Sequence, residues 1–528
     1  MKHIPAWLEK AVFYNIYPQS FYDSNGDGIG DLYGIQQKLG YVRDMGFTAV
    51  WLNPFYVSPF RDAGYDVADF YRVDPRYGTN EDFVALCAEA HRLGIRVCID
   101  LVAGHTALEH EWFRQSCLPD RNEYTDRYVW TDDWLKDYGG CCIGGYSGRN
   151  GRYMRNFFYC QPALNYGFAK VEDPAWQMPM DAPACRETKR ELIRIMEYWI
   201  GLGADGFRVD MAASLIKNDP DGSGIRRFWR EIRDLFDKKY PECVLISEWS
   251  HPSQAIGAGF HIDFLIHDNL PAYTRLFRAE PGRNVSDKFA GHSFFCRDGN
   301  GSIEDFLADY LPERAATAGQ GYISLPSGNH DLPRISYGRT KEELACVFAF
   351  LLTMPGIPFI YYGDEIGMSY RPELPSKEGG YNRTGARTPM QWDDTENAGF
   401  STAAPERLYL PVEKGGPHVR QQLADGGSLL RTVQKLIRLR QSSRALCADG
   451  DITFLNRQNG GYPLVYRREI DGERYLIAIN PLGEPRSYPV GAGWETALSA
   501  RAELCGDTVH LQSFGYSILK DGRMENDL

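Results

Sequence analysis

The chain has 528 residues, 43% of them hydrophobic and 24% charged, and its 70 acidic against 58 basic side chains leave a formal net charge of −12. That length can bury large cores and hold more than one domain, and the composition is that of an ordinary globular protein. The negative balance argues against nucleic acid or an anionic membrane as a partner, and there is no run of about eighteen apolar residues to span a bilayer.

The N-terminal stretch "MKHIPAWLEKAVFYNIYP" meets Glu9 and Lys10 before any uninterrupted apolar run, so no secretory leader is expected. The 12 cysteines are scattered, and the adjacent pair Cys141 and Cys142 has neither zinc-ligand spacing nor the setting of a disulfide scaffold. Reduced thiols in a cytoplasmic protein are the expectation.

The first candidate strand, "AVFYNIYP" from Ala11, leads into "DSNGDGIGDL", which sets Asp23, Asn25, Asp27 and Asp31 on alternate positions among Gly26, Gly28 and Gly30. Such a loop reads either as a solvated turn or as a wrap of oxygens around a hard cation such as Ca2+. It is not an EF-hand, because Gly34 stands where the bidentate Glu would be.

Further short apolar runs follow in order: "AVWLNP" from Ala49, "RVCIDLV" from Arg96, "GFRVDMA" from Gly206, "VLISEWS" from Val244, "HIDFLIH" from His261, "GYISLP" from Gly321 and "PFIYYGDE" from Pro358. Helical patterns lie between them, with Phe83, Leu86, Cys87, Ala90 and Leu93 on one face and Leu192, Ile195, Met196 and Trp199 on another. Ser302, three residues before Asp305, predicts a capping box. Eight strands alternating with helices predict an α/β fold, a (β/α)8 TIM barrel whose active site lies at the carboxyl ends of the strands.

The stretch from Val102 to Arg186 is far longer than an ordinary βα loop and predicts a small inserted domain after the third strand. It is rich in aromatics: Tyr124, Tyr128, Trp130, Trp134, Tyr138, Tyr146, Tyr153, Phe157, Phe158 and Tyr159. After "LLRTVQKLIRLR" the pattern changes to short alternating strands such as "YPLVYRR" and "RYLIAIN", which mark a C-terminal antiparallel β domain. The expected limits are 1–104 with 175–445 for the barrel, 105–174 for the insert and 446–528 for a C-terminal β-sandwich.

Three carboxylates stand at predicted strand ends: Asp210 after "GFRV", Glu248 after "LIS" and Asp331 in "SGNHDLPR". One alone would be read as a salt bridge or a cap. A barrel, however, converges its strand ends on one cleft, and hydrolysis of a glycoside with retention needs one carboxylate as nucleophile and one protonated carboxyl as acid, about 5–5.5 Å apart. Arg208 points to the same face of its strand as Asp210 and can hold that carboxylate ionised. Glu248, expected to lack an adjacent cation and to have apolar neighbours, suits the general acid. Asp331 is left to bind sugar hydroxyls.

The strings "DLVAGHT", "GFRVDMA", "ISEWS" and "SGNHD", in this order, resemble the four signature regions of the α-amylase superfamily, and "QPALN" and "MPGIPFIYYGDEIGM" resemble its secondary signatures. The resemblance runs from about residue 10 to about residue 445. It implies Asp210 as nucleophile, Glu248 as acid/base and Asp331 as transition-state stabiliser, with His105, His330, Arg208, Asp62 and Tyr65 holding the sugar, Tyr65 by stacking. It also implies that the Asp23 loop binds a structural Ca2+ through Asp23, Asn25, Asp27, the Ile29 carbonyl and Asp31, with Mg2+ as the other candidate, and that no organic cofactor is used.

The segments around Asp62 and "RTGARTPMQWDDTENAGF" are similar to trehalose synthases and exo-acting α-glucosidases; by that similarity Phe157 and Arg387 close the end of the pocket. Gly104 departs from the pattern, standing where Asn usually precedes the histidine, as do Ala163, Gln19 and Met211. The expected activity is that of a retaining exo-acting α-glucosidase on short gluco-oligosaccharides, the alternative being a maltose-to-trehalose isomerase or another transglucosylase. An inactive binding subunit would have lost carboxylates that this chain keeps.

Overall fold

The computed structural model describes residues 3–135, 138–145, 147–266, 271–278, 291–380 and 382–522. Eight parallel strands form one sheet: β1 (Phe13–Ile16), β2 (Ala49–Leu52), β3 (Arg96–Leu101), β4 (Gly206–Val209), β5 (Val244–Ser247), β6 (Ile262–Phe264), β7 (Tyr322–Ser324) and β8 (Phe359–Tyr361). Their spatial order is β7-β6-β5-β4-β3-β2-β1-β8. Ser327, just past β7, draws the ring together by donating its N–H to Phe359 O (2.9 Å) and accepting the Tyr361 N–H on its hydroxyl (3.0 Å). These are the strands expected from the sequence. Apart from Arg96, every side chain in them is buried, because parallel strands are covered on both faces and so read as unbroken apolar runs.

The helices outside the ring include α1 (Leu32–Met45), α2 (Asn80–Arg92), α3 (Pro183–Gly201), α4 (Ser223–Lys239), α5 (Ile303–Thr317), α6 (Lys341–Thr353) and α7 (Leu429–Gln441). The periodic residues of α2 and α3 are their buried faces, as expected, with Leu93 falling at the C-cap of α2. Thr79 and Thr340 make reciprocal capping boxes with Asp82 and Glu343. Ser302 does cap α5, but through the Glu304 N–H (3.2 Å) and without the expected box, because Asp305 turns its carboxylate toward Arg275 (3.5 Å).

The insert between β3 and α3 carries a three-stranded antiparallel sheet, Trp130–Thr131, Arg152–Met154 and Cys142–Gly144. Its aromatic richness is partly core: Phe113, Tyr128, Trp130 and Tyr153 pack edge to face. Trp134 and Tyr159 are instead exposed, and Tyr146 lies outside the described residues. An antiparallel bridge from His105 to Ala163 ties the insert to the barrel.

The C-terminal strands are antiparallel. The last of them, Thr508–Asp521, breaks its register near Phe514 (φ 55°) opposite Arg501 (φ 53°), so its two halves pair with different neighbours and close over Val465, Leu476, Val509, Leu511 and Leu519. A buried arginine of this domain, Arg468, reaches the barrel beside Arg440, a buried arginine of the last barrel helix. Arg440 of α7 donates to the carbonyls of Leu352, Met354 and Gly356, and Arg468 of the sheet to those of Thr353, Cys447 and Gly450, so both cations sit on the C-terminal end of α6. Among the described residues no helix is long and apolar enough to cross a membrane.

Candidate active site

The neighbours β3, β4 and β5 bring Asp100, Arg208, Asp210 and Glu248 to one end of the ring. Arg208, buried, donates from Nη1 to Asp100 Oδ1 (2.6 Å) and Asp210 Oδ1 (3.2 Å), and its Nη2 lies 2.9 Å from Glu248 Oε1. The expectation that Glu248 has no adjacent cation is therefore corrected: one guanidinium serves both carboxylates. The reason is register. Val209 lies opposite Ser247, so Asp210 and Glu248 leave their strands side by side, and the fork of Arg208 spans them. Met211, at φ 45°, donates its N–H to Glu248 Oε2 (3.0 Å) and fixes the turn after Asp210.

Burial, and next the charge of Glu248, push the Asp210 carboxyl well above its ordinary value, while Arg208 pulls it down. Burial also raises Asp100 to about 6 against the pull of Arg208 and of hydrogen bonds from Trp51 Nε1 and Tyr65 OH (3.0 Å each). Three carboxyls around one cation favour retention of a proton. A pair with one proton is what acid-assisted displacement requires.

The sugar-holding candidates converge on the same end. The ring of Tyr65 stacks on that of His330 (5.0 Å, 11°), and burial pushes His330 down to about 3, leaving it neutral beside Asn53 Nδ2 (3.0 Å). His105 Nε2 lies 2.9 Å from Tyr65 O. Asp62 accepts from Gln161 Nε2 (2.8 Å).

The sequence reading missed Arg383. It donates from Nη1 to Asp331 Oδ1 and from Nη2 to Asp62 Oδ1, both at 2.6 Å, and so bridges the two carboxylates. Arg387, the residue expected there, is buried and braces the Asp331 loop by donating to His330 O (2.8 Å) and Asp331 Oδ1 (3.2 Å). The single turn Thr384–Ala386 places the two arginines on the same carboxylate; their four-residue spacing was the available signal. Phe157 packs on Phe158 (4.4 Å), and it is Phe158 that lies against Gly380. Gln19 accepts from Arg76 Nη1 (3.0 Å), which also reaches Glu378 (2.8 Å).

The Asp23 loop follows β1. Asp23 accepts the N–H groups of Asn25, Gly26 and Gly28, Asn25 that of Asp27, and Asp27 that of Ile29, while Asp31 caps α1 through Gly34 N–H. Among the described residues no three His, Cys, Asp or Glu groups are placed to hold a metal. The donor chemistry does suit a hard cation: all oxygen, with two buried carboxylates, Asp23 and Asp31, whose repulsion adds to the burial that raises Asp31.

Residues 15–449 match the family model of the alpha amylase catalytic domain. The chain is 34% identical over 509 residues to the trehalose synthase/amylase TreS of Mycolicibacterium smegmatis, a match covering 88% of this chain and 81% of that one. It is 31% identical over 545 residues to an oligo-1,6-glucosidase of Heyndrickxia coagulans, covering 90% and 92%. The structure of the trehalulose synthase MutB from Pseudomonas mesoacidophila superposes with a TM-score of 0.80 at 26% identity, over 98% of this chain and 100% of that one.

Proposed function

Since the chain belongs to the α-amylase family, we propose that it is a retaining, exo-acting α-glucosidase of short α-linked gluco-oligosaccharides such as maltose. The observation that carries the reading is the shared guanidinium of Arg208, which sets Asp210 and Glu248 side by side. Asp210 attacks the anomeric carbon while the Glu248 carboxyl gives its proton to the glycosidic oxygen, and the leaving sugar departs with that proton. Glu248, now ionised, takes a proton from the incoming water, whose oxygen displaces Asp210 and restores the α configuration. The Arg383 bridge from Asp62 to Asp331 supports attack on a terminal glucose, because it ties together two of the groups read as holding the sugar.

A second reading is favoured by the similarity to TreS: a sugar hydroxyl replaces water in the second step, giving a maltose-to-trehalose isomerase. Chromatography of the products from maltose separates the two. Glucose alone supports hydrolysis; substantial trehalose or another disaccharide supports transfer. Rapid cleavage of soluble starch would overturn the exo-acting reading.

The pH dependence of kcat/KM should be bell-shaped. Below the acidic limb Asp210 and Glu248 are both protonated and there is no nucleophile; above the basic limb the shared proton is lost and there is no acid. Because burial and Glu248 raise Asp210, the acidic limb should lie above the ordinary aspartate value. Initial rates from pH 4 to 9 check this, and a flat profile would refute the two roles.

In the same reading the Asp23 loop takes Ca2+ as a structural ion, held by Asp23, Asn25, Asp27, the Ile29 carbonyl and Asp31. Chelation should lower Tm by several degrees and added Ca2+ should restore it; a Tm indifferent to both removes the ion from the reading, and equal rescue by Mg2+ would change its identity.

A further inference from the structure

Position 104 has no side chain, and the space beside it is filled from a distant part of the chain. A Cβ built on Gly104 would lie 2.6 Å from Asn156 Nδ2 and 3.3 Å from Ser214 Oγ. Asn156 belongs to the insert, two residues after the strand Arg152–Met154, and its backbone N–H is anchored on Gln161 O (2.9 Å). Lys217, in the loop after β4, donates from Nζ to Asn156 Oδ1 (2.9 Å) and to Ser214 O (2.7 Å).

This arrangement leaves little choice of proton positions. An ammonium only donates, so Oδ1 of Asn156 must face Lys217 and the NH2 must face His105. His105 Nδ1, 3.1 Å away, therefore accepts, and the ring proton sits on Nε2, where it is donated to Tyr65 O (2.9 Å). Burial lowers His105 to about 4 and keeps the ring neutral. Tyr65 in turn stacks on His330 and holds Asp100 through its hydroxyl.

We infer that Asn156 is a positioning residue for the glucosyl-binding side of the site: the inserted domain supplies an amide at the place residue 104 leaves open, and with Lys217 behind it that amide donates to Nδ1 of His105 and braces the ring whose Nε2–H holds the Tyr65 carbonyl. The inference rests on the α-glucoside reading above. It concerns residues on four separate segments, around Tyr65, His105, Asn156 and Lys217, which meet where the insert docks beside β3 and β4.

A relocation cycle tests it. Wild type, N156A, G104N and G104N/N156A are compared in kcat/KM on p-nitrophenyl α-glucoside or maltose, with Tm measured on each. N156A should lose about 10- to 100-fold, and G104N should lose a similar amount, because its new side chain meets Asn156. The double variant should regain most of the loss, since the amide then stands beside His105 from the other side. N156A at wild-type kcat/KM, or a double variant that falls by the product of the single losses, would overturn the inference. N156D guards against a mere folding defect: it keeps an oxygen for Lys217 but has no proton for Nδ1, and should lose kcat/KM at an unchanged Tm. Histidine 15N shifts should report an Nε2–H tautomer for His105 in wild type and a move of Nδ1 toward an unbonded lone pair in N156A; an Nδ1 resonance unchanged in N156A would also overturn the inference. Absence of turnover by wild type on every α-glucoside would instead fail the functional reading, and the nitrogen shifts would still decide this one.

Discussion

Replacement of Asp210 by asparagine is expected to lower kcat by about 10^4-fold or more without unfolding the protein. An amide cannot form the glucosyl ester, and no other described carboxylate is placed to substitute: Asp100 is buried behind Arg208, and Asp331 is held by Arg383 and Arg387. Stability should not suffer, because the ionised Asp210 is a burden to the fold; burial and the neighbouring Glu248 both disfavour its charge. A neutral side chain of the same shape should leave Tm equal or raise it. The companion E248Q should lose about 10^2- to 10^4-fold on maltose but much less on p-nitrophenyl α-glucoside, whose leaving group departs without a proton. Rates on the two substrates, with calorimetry, check the pair. An active D210N, or an E248Q equally impaired on both substrates, would exchange or remove the assigned roles.

The second large effect is expected at Arg208. Its guanidinium is the described cation that touches Asp100, Asp210 and Glu248 together, and the methionine variant leaves those three acids buried without it. Removing one member of such a cluster costs about 3–5 kcal/mol, which a urea titration reads directly. The sign of its pH dependence follows from linkage. Carboxyls whose folded pKa is raised cost nothing while the unfolded chain is also protonated, and they destabilise progressively as pH climbs through the unfolded value toward the folded one. Asp100 already stands at about 6 with Arg208 pulling it down, and without that pull it rises further. The deficit of R208M relative to wild type should therefore be greater at pH 7 than at pH 4, and any residual activity should show its acidic limb displaced upward. A deficit independent of pH would mean that Arg208 contributes through packing alone.

The barrel was legible because each strand is a short, mostly apolar run that alternates with helical patterns, and burial on both faces leaves that signature in nearly consecutive residues. Asp210 and Glu248 were legible for a related reason: a carboxylate closing a mostly apolar run marks the rim, whereas Asp331, in the loop past β7, was marked by its motif. What sequence did not disclose depends on distance through space. That Arg208 reaches Glu248 follows from the Val209 to Ser247 pairing, which no local pattern encodes. Arg383 sits in a loop without periodicity, and only its spacing from Arg387 hinted at a shared target. Asp100 reads as one more strand residue until Arg208, Trp51 and Tyr65 are seen to surround it. The capping box predicted at Ser302 failed because Arg275, from a separate segment, competes for Asp305.

The pair Arg440 and Arg468 carries a consequence for engineering. The carbonyls that end α6 are satisfied by one arginine from the last barrel helix and one from the terminal sheet. A chain cut before Asp451 would keep the first and lose the second, stranding backbone oxygens in an apolar setting. The ring of strands and its helices therefore cannot be separated from the terminal sheet without exposing this seam.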